Sequence, residues 1–310
     1  MPKVRDFFHT GLNISRSDLS GVPFSMFGKN PTGAQDYFVD LNVSPVGDGT
    51  SWDSPVSTIA AGLLLADNSI GLGTNRWWAR RNRVFVCGDG IAEALVLAAE
   101  KTDLIGVGYD VGSFPKVTGN FTIGTAVNGF RIFNMGFVPT TTAPVITFPS
   151  GMHGWELHNV HLYKIEGVAN SAMLLCTDSR DWVMNRTYIY QDVAGVKSTI
   201  GFNVAGTTSG MGRAKIIDSL IIGTEAFNVV DTSANFEGAT CENTTFIATA
   251  LCIDDNSDSM AFINNRLITA ANSGNGAGST IVDWNAALAC GNEATSGNHN
   301  GPLPVLSGHA

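Results

Sequence analysis

The chain has 310 residues, 44% hydrophobic and only 15% charged, with a net charge of −9 and an isoelectric point near 5.0. That apolar share supports a long core, and the 35 glycines provide for many tight turns. An acidic chain lacks the basic footprint of a general nucleic-acid binder, and the apolar run at 60–66 is too short to span a bilayer.

Residues 1–36 mix apolar pieces (Phe7-Phe8, Val22-Pro23-Phe24) with Gly, Ser and Pro, without a sustained period. Lys3, Arg5 and Asp6 interrupt the start and no apolar stretch follows, so no signal peptide is read and synthesis in a cytoplasm is expected. An arm of this kind orders most readily by packing on partners, so it is expected to anchor the chain to trimer mates or to a larger assembly.

Next come an extended piece, Tyr37-Phe38-Val39-Asp40, and a turn, Gly47-Asp48-Gly49-Thr50-Ser51-Trp52. Ser54-Pro55 then leads to Thr58-Ile59-Ala60-Ala61, where a short helix is predicted with Ile59, Leu63, Leu64 and Ala66 on its apolar face. The segment Arg76-Trp77-Trp78-Ala79-Arg80-Arg81 combines the residue types that dominate contact hot spots and stack on rings. Arg76, Trp77, Trp78, Arg80 and Arg81 are therefore candidate binding residues; the competing reading is a loop whose Trp rings plug the fold and whose Arg groups are solvated.

From 130 to 268 a short pattern returns six times: Ile132-x-Asn134-x-x-Phe137, Leu157-x-Asn159-x-x-Leu162, Val183-x-Asn185-x-x-Tyr188, Ile216-x-Asp218-x-x-Ile221, Cys241-x-Asn243-x-x-Phe246 and Phe262-x-Asn264-x-x-Leu267. Alternation before the polar residue marks a strand with one buried face, and the changed spacing after it marks a bend. A second apolar run follows each copy, as in Ile200-x-Phe202-x-Val204 and Leu251-x-Ile253. Units this short cannot bury an apolar face alone but do so by stacking, so the expected fold is an all-β parallel solenoid of about eight rungs. Stacking places Asn134, Asn159, Asn185, Asp218, Asn243 and Asn264 one strand spacing apart, as an inward-facing structural ladder.

The stretch from Tyr37 through the helix to Val84-Phe85-Val86, Ala94-Leu95-Val96-Leu97 and Asp103-Leu104-Ile105-Gly106 resembles the opening segment of the pectate-lyase-like right-handed parallel β-helix superfamily, including phage virion β-helix proteins. The resemblance covers about residues 37–290. It implies a capping helix at the N-terminal end of the coil, and it says little about chemistry because the fold hosts many functions. The domain reading is an arm at 1–36, a capped β-helix at 37–290 and a tail at 291–310.

Candidate chemistry is sparse. Asp178, Asp231, Asp254 and Asp283 each follow a second apolar run; if stacked, they supply the carboxylate pair a glycoside hydrolase needs, although Asp after a strand is also a routine turn residue. His153, His158 and His161 lie near Glu156 and Glu166, but His158-x-x-His161 fixes no third metal ligand, and both side chains are expected at the surface. Asp254-Asp255-Asn256-Ser257-Asp258 is rich in oxygen but lacks the glycine and closing glutamate of an EF-hand. The five cysteines form no CxxC pair and read as buried thiols. No nucleotide, hydrolase or metalloprotease motif occurs, so no cofactor and no metal are assigned. The function expected is that of a structural bacteriophage virion protein made in the host cytoplasm, a homotrimeric capsid decoration or tail spike bound to virion proteins through residues 1–36. The alternative is a polysaccharide-cleaving enzyme or an adhesin for host-surface glycan on the same fold.

Overall fold

The structure is a computed structural model that describes residues 34–70, 81–88, 91–108, 115–164, 170–191, 198–206, 212–229, 238–255, 260–269, 282–284, 288–290 and 293–294. The arm at 1–33, Arg76, Trp77, Trp78, Arg80, Glu166, Asp231 and the tail from 295 lie outside the described residues.

The chain winds as an all-β parallel solenoid with three faces. On the first face ten strands pair in chain order: Asp36–Asp40, Asn82–Cys87, Thr102–Gly106, Arg131–Phe133, Glu156–His158, Val183–Asn185, Lys215–Ile217, Thr240–Glu242, Ala261–Ile263 and Leu288–Cys290. A second sheet supplies the other two faces. Lys116–Thr118, Gly136–Val138, His161–Tyr163 and Tyr188–Tyr190 form the second face, and Phe121–Thr122, Ile146–Phe148, Ala172–Thr177 and Ile200–Ala205 the third. The long strand Leu220–Val229 joins them, pairing through Leu220 and Ile221 with the second face and through its later residues with the third. Thr245–Asp255 repeats this one rung on.

The corner between the first and second faces explains the sequence repeat. Asn134, Asn159, Arg186, Asp218, Asn243 and Asn264 all have left-handed backbones, with φ of 52°, 53°, 49°, 50°, 51° and 53°. Asn and Asp adopt that region at little cost, whereas other L-residues do not. Register places His158, Asn185, Ile217, Glu242 and Ile263 in one column. The third copy is thus Met184-x-Arg186-x-x-Ile189, and Asn185 is the last residue of a strand rather than a corner residue. Val183-x-Asn185-x-x-Tyr188 satisfies the same pattern one residue out of phase, and a one-residue slip moves every side chain to the opposite face.

The predicted indoor ladder also needs correction. Asn134 and Asn159 are half-buried, and Asp218, Asn243 and Asn264 are exposed. One amide contact runs along this corner among the described residues, Asn159 Nδ2 donating to Asn134 Oδ1 at 2.9 Å. The residue that turns inward is the next one: Met135, Val160, Thr187, Ser219, Thr244 and Asn265 are all buried. From Thr187 onward these build the interior polar ladder. The Thr187 N–H donates to Ser219 Oγ (3.1 Å), the Ser219 N–H to Thr244 Oγ1 (3.4 Å), and the Thr244 N–H to Asn265 Oδ1 (2.9 Å). The side chains of Ser219, Thr244 and Asn265 thereby each satisfy a buried backbone donor that the bend leaves without a strand partner.

Inside the coil, aromatic rings stack along the axis. Phe148 lies 4.2 Å from Trp155, Trp155 lies 5.0 Å from Trp182 and nearly parallel to it, and Trp182 meets Phe202 edge-on at 5.4 Å. Rings this large dominate the energy of burial. Helix α1 (Ile59–Ile70) closes the N-terminal end. Thr58 Oγ1 accepts the Ala61 N–H (3.2 Å), while the Glu93 carboxylate accepts those of Ile59 and Ala60 (2.9 and 2.8 Å), so the first turn is capped from two sides. The buried face is Ile59, Gly62, Leu63, Ala66 and Ile70; Leu64, expected there, is 50% exposed. A β-carbon on Gly62 would stand 2.6 Å from Val39 Cγ2 and 2.9 Å from Val84 Cγ1, so the helix rests directly on the first two rungs. Cys176, Cys241 and Cys252 are buried free thiols, and Cys87 is half-buried.

Candidate functional site

The outer side of the first face carries a column of alternating charge, Asp36, Arg83, Asp103, Arg131 and Glu156. Arg83 grips Asp36 with two bonds (2.7 and 2.6 Å), and Arg131 grips Asp103 the same way (2.7 and 2.8 Å). Arg81, the described member of the predicted docking cluster, donates to Asp103 Oδ1 (2.9 Å) and to the Gly129 carbonyl (2.8 Å). It is therefore tied into the scaffold. The neighbouring column is Phe38, Phe85, Ile105, Phe133 and His158. Arg131 lies over the Phe133 ring at 5.4 Å, and Phe133 stacks on His158 at 4.8 Å. Burial alone raises the Glu156 pKa, but the hydrogen bond from His158 and the charge of Arg131 outweigh it and hold the carboxyl below its ordinary range. This face is a second, external core stitched by ion pairs.

On the second face a block of four rings occupies two adjacent rungs: His161 and Tyr163 beside Tyr188 and Tyr190. Tyr163 and Tyr190 stack at 5.6 Å, Tyr188 and Tyr190 at 5.9 Å, and Lys116 Nζ sits 5.2 Å from the Tyr163 ring. His161 packs 4.7 Å from Tyr188 and is wholly buried, against the surface position expected for it. The tyrosines on either side cover it. Burial, helped by the charge of Lys116, pushes its pKa down to about 4. His153, His158 and His161 stand on different parts of the coil, and no group of three metal-binding side chains of the His, Cys, Asp or Glu type occurs among the described residues.

The third face carries a row in register, polar except at Leu175: Thr122, Thr147, Leu175, Asn203, Asn228 and Asp254, with Asp283 at the next register position. Asp254 belongs to this row. Asp178 does not; it follows Thr177, bends with φ of 41°, donates its N–H to the Ala205 carbonyl (3.0 Å) and accepts Ser150 Oγ (3.3 Å). From the Asp178 rung to Asp254 is three steps, on the order of 14 Å at the usual strand spacing, beyond the reach of a hydrolytic pair. Sequence reasoning grouped the two because each follows an apolar run. It passed over Asn203, Asn228 and Glu225, although Asn203 and Asn228 directly follow the inward Phe202 and Phe227 just as Asp254 follows Ile253.

No protein-family model, no curated protein and no solved structure matches the chain.

Proposed function

We propose that the protein is a structural virion-surface protein of a bacteriophage, of the capsid-decoration or tail-spike type, in which the arm at 1–36 anchors a homotrimer and the solenoid projects outward. The observation that supports this reading is where the arm meets the coil. Gln35 is bonded into the first rungs, its N–H donating to Asn82 Oδ1 (2.9 Å) and its carbonyl accepting the Arg83 N–H (3.0 Å). Asp36–Asp40 is the terminal strand of the first face, and α1 closes the same end. Residues 35–40, which follow the arm, thus lie at one pole of the coil, where a rod tethered through its arm would be held. Removing residues 1–33 should leave a folded solenoid that no longer joins particles; full occupancy by the truncated protein refutes the anchor. Symmetry-related copies over the shell of a purified particle define decoration, and a few copies at one vertex define a spike.

A second reading, an adhesin for glycan, draws on the Tyr163, Tyr188 and Tyr190 block beside Lys116, since half-buried rings on an outer sheet face offer stacking surface. A glycan array probed with the wild type and with Tyr163→Ala/Tyr190→Ala separates the readings. Binding that disappears in the double variant favours the adhesin.

A further inference from the structure

Charge is spread unevenly over the three faces. The chain carries 27 acidic residues. The outer columns of the first face include Asp36, Asp103, Glu156 and Glu242, and the third face carries Glu225 and Asp254. The second-face segments 116–118, 136–138, 161–163, 188–190, 220–223, 245–248 and 266–269 contain none. One outer column of that face runs Lys116, Gly136, His161, Tyr188, Leu220, Thr245 and Arg266. The other holds Thr118 and Val138, then Tyr163 and Tyr190, then Ile222, Ile247 and Ile268. The cations of these columns, Lys116 and Arg266, stand at the two ends, about 29 Å apart at the usual strand spacing. Between them Tyr163, Tyr188, Tyr190, Leu220 and Ile247 are half-buried, so part of each side chain still meets solvent.

We propose that the second face is where copies of this chain meet, lying against the three-fold axis with a second copy as its occupant. The inference rests on the homotrimer reading above and adds the surface that makes the contact. Rotation about an axis parallel to the coil brings each rung opposite the same rung of its neighbours, so a residue near the axis faces its own copy. A carboxylate there meets a like charge in a space that excludes water, whereas apolar side chains gain by burial. Three chains of net charge −9 repel one another overall, so they associate only through a surface free of carboxylates. Of the three faces, the second alone meets that condition over most of the coil's length. Its tyrosines are also a residue type that contact cores favour. Against the axis, Tyr163, Tyr188 and Tyr190 are covered by neighbouring chains, and this placement opposes the adhesin reading of the same rings.

The test measures the mass of the full chain in solution by sedimentation equilibrium. The wild type should run at three times the 32.7 kDa chain mass. Ile247→Glu sets a carboxylate on the second face and should reduce the mass to one chain, whereas Thr122→Glu, at an exposed position of the third face, should leave three. Ile247→Cys should be joined between chains by a short thiol cross-linker, above the background of the wild type. If Ile247→Glu does not fold, Ile247→Cys decides. A wild-type mass other than three chains overturns the homotrimer reading and this inference with it. If the wild type is trimeric, a trimer that persists in folded Ile247→Glu, or the absence of cross-linked Ile247→Cys, overturns the second face as the contact and leaves the homotrimer standing.

Discussion

Arg186 occupies a corner that the other five rungs of the repeat fill with Asn or Asp, and it holds φ of 49° there. For a residue without a short polar side chain, the left-handed conformation costs about 1–2 kcal/mol, most of which Asn avoids. Arg186 is exposed, and its N–H donates to the Ile217 carbonyl (3.1 Å), a bond that does not depend on the side chain. Arg186→Asn should therefore relieve strain and sacrifice no buried contact. It also places an amide one rung beyond Asn159, whose own amide already donates to Asn134. The expected gain is about 1 kcal/mol, read as a rise in melting temperature of about 1–2 °C for a chain of this size. The mirror change, Asn243→Leu, puts a branched side chain into the same conformation at φ of 51° and should cost about as much. Thermal and denaturant unfolding of both variants, beside the wild type, measure the pair. If Arg186→Asn is neutral or destabilising while Asn243→Leu costs nothing, corner conformation is not what selects Asn in this repeat.

Three further perturbations probe other parts of the coil. A β-carbon on Gly106 would stand 1.9 Å from the Asn134 carbonyl oxygen, so Gly106→Ala should destabilise by about 3 kcal/mol, visible as a lowered denaturant midpoint. His161 titrates at about 4 in the fold against 6.5 when unfolded. The unfolded chain therefore takes up its proton first, and the stability present above pH 6.5 is lost as pH falls towards 4, by up to about 3 kcal/mol. His161→Gln should flatten unfolding free energy over that window, leaving the Glu156 contribution, whose depressed pKa places its loss below 4.5. Asp103→Asn leaves Arg81 and Arg131 facing a neutral group; because both guanidinium groups keep some exposure, the cost should be about 2 kcal/mol, and raised salt should narrow the difference.

Much of the architecture was legible in the sequence because a solenoid writes its rung into the chain at every turn. Alternating apolar residues, the bend and the second run specify a unit that buries its face only by stacking on copies of itself. Pro55 and the apolar run beyond it announced the helix that caps the end. The site was harder to read. Asp178 and Asp254 look equivalent along the chain, yet strand register carries them to different columns, since loop lengths vary from rung to rung and register follows hydrogen bonding between turns. Likewise, Arg81 reads as a docking residue until the rung beneath brings Asp103 and the Gly129 carbonyl to its guanidinium.

Local chemistry, then, determined the all-β coil, its cap and the corner that recurs on every rung, because left-handed bends favour Asn and Asp wherever they occur. Only the stacked structure decided phase and neighbourhood. It moved the third repeat from Asn185 to Arg186 and passed the inward ladder to Thr187, Ser219, Thr244 and Asn265. It also buried His161 beneath tyrosines from its own and the next strand. These outcomes depend on which residues of different turns lie one strand spacing apart, and that is a property of register between turns which no single turn encodes.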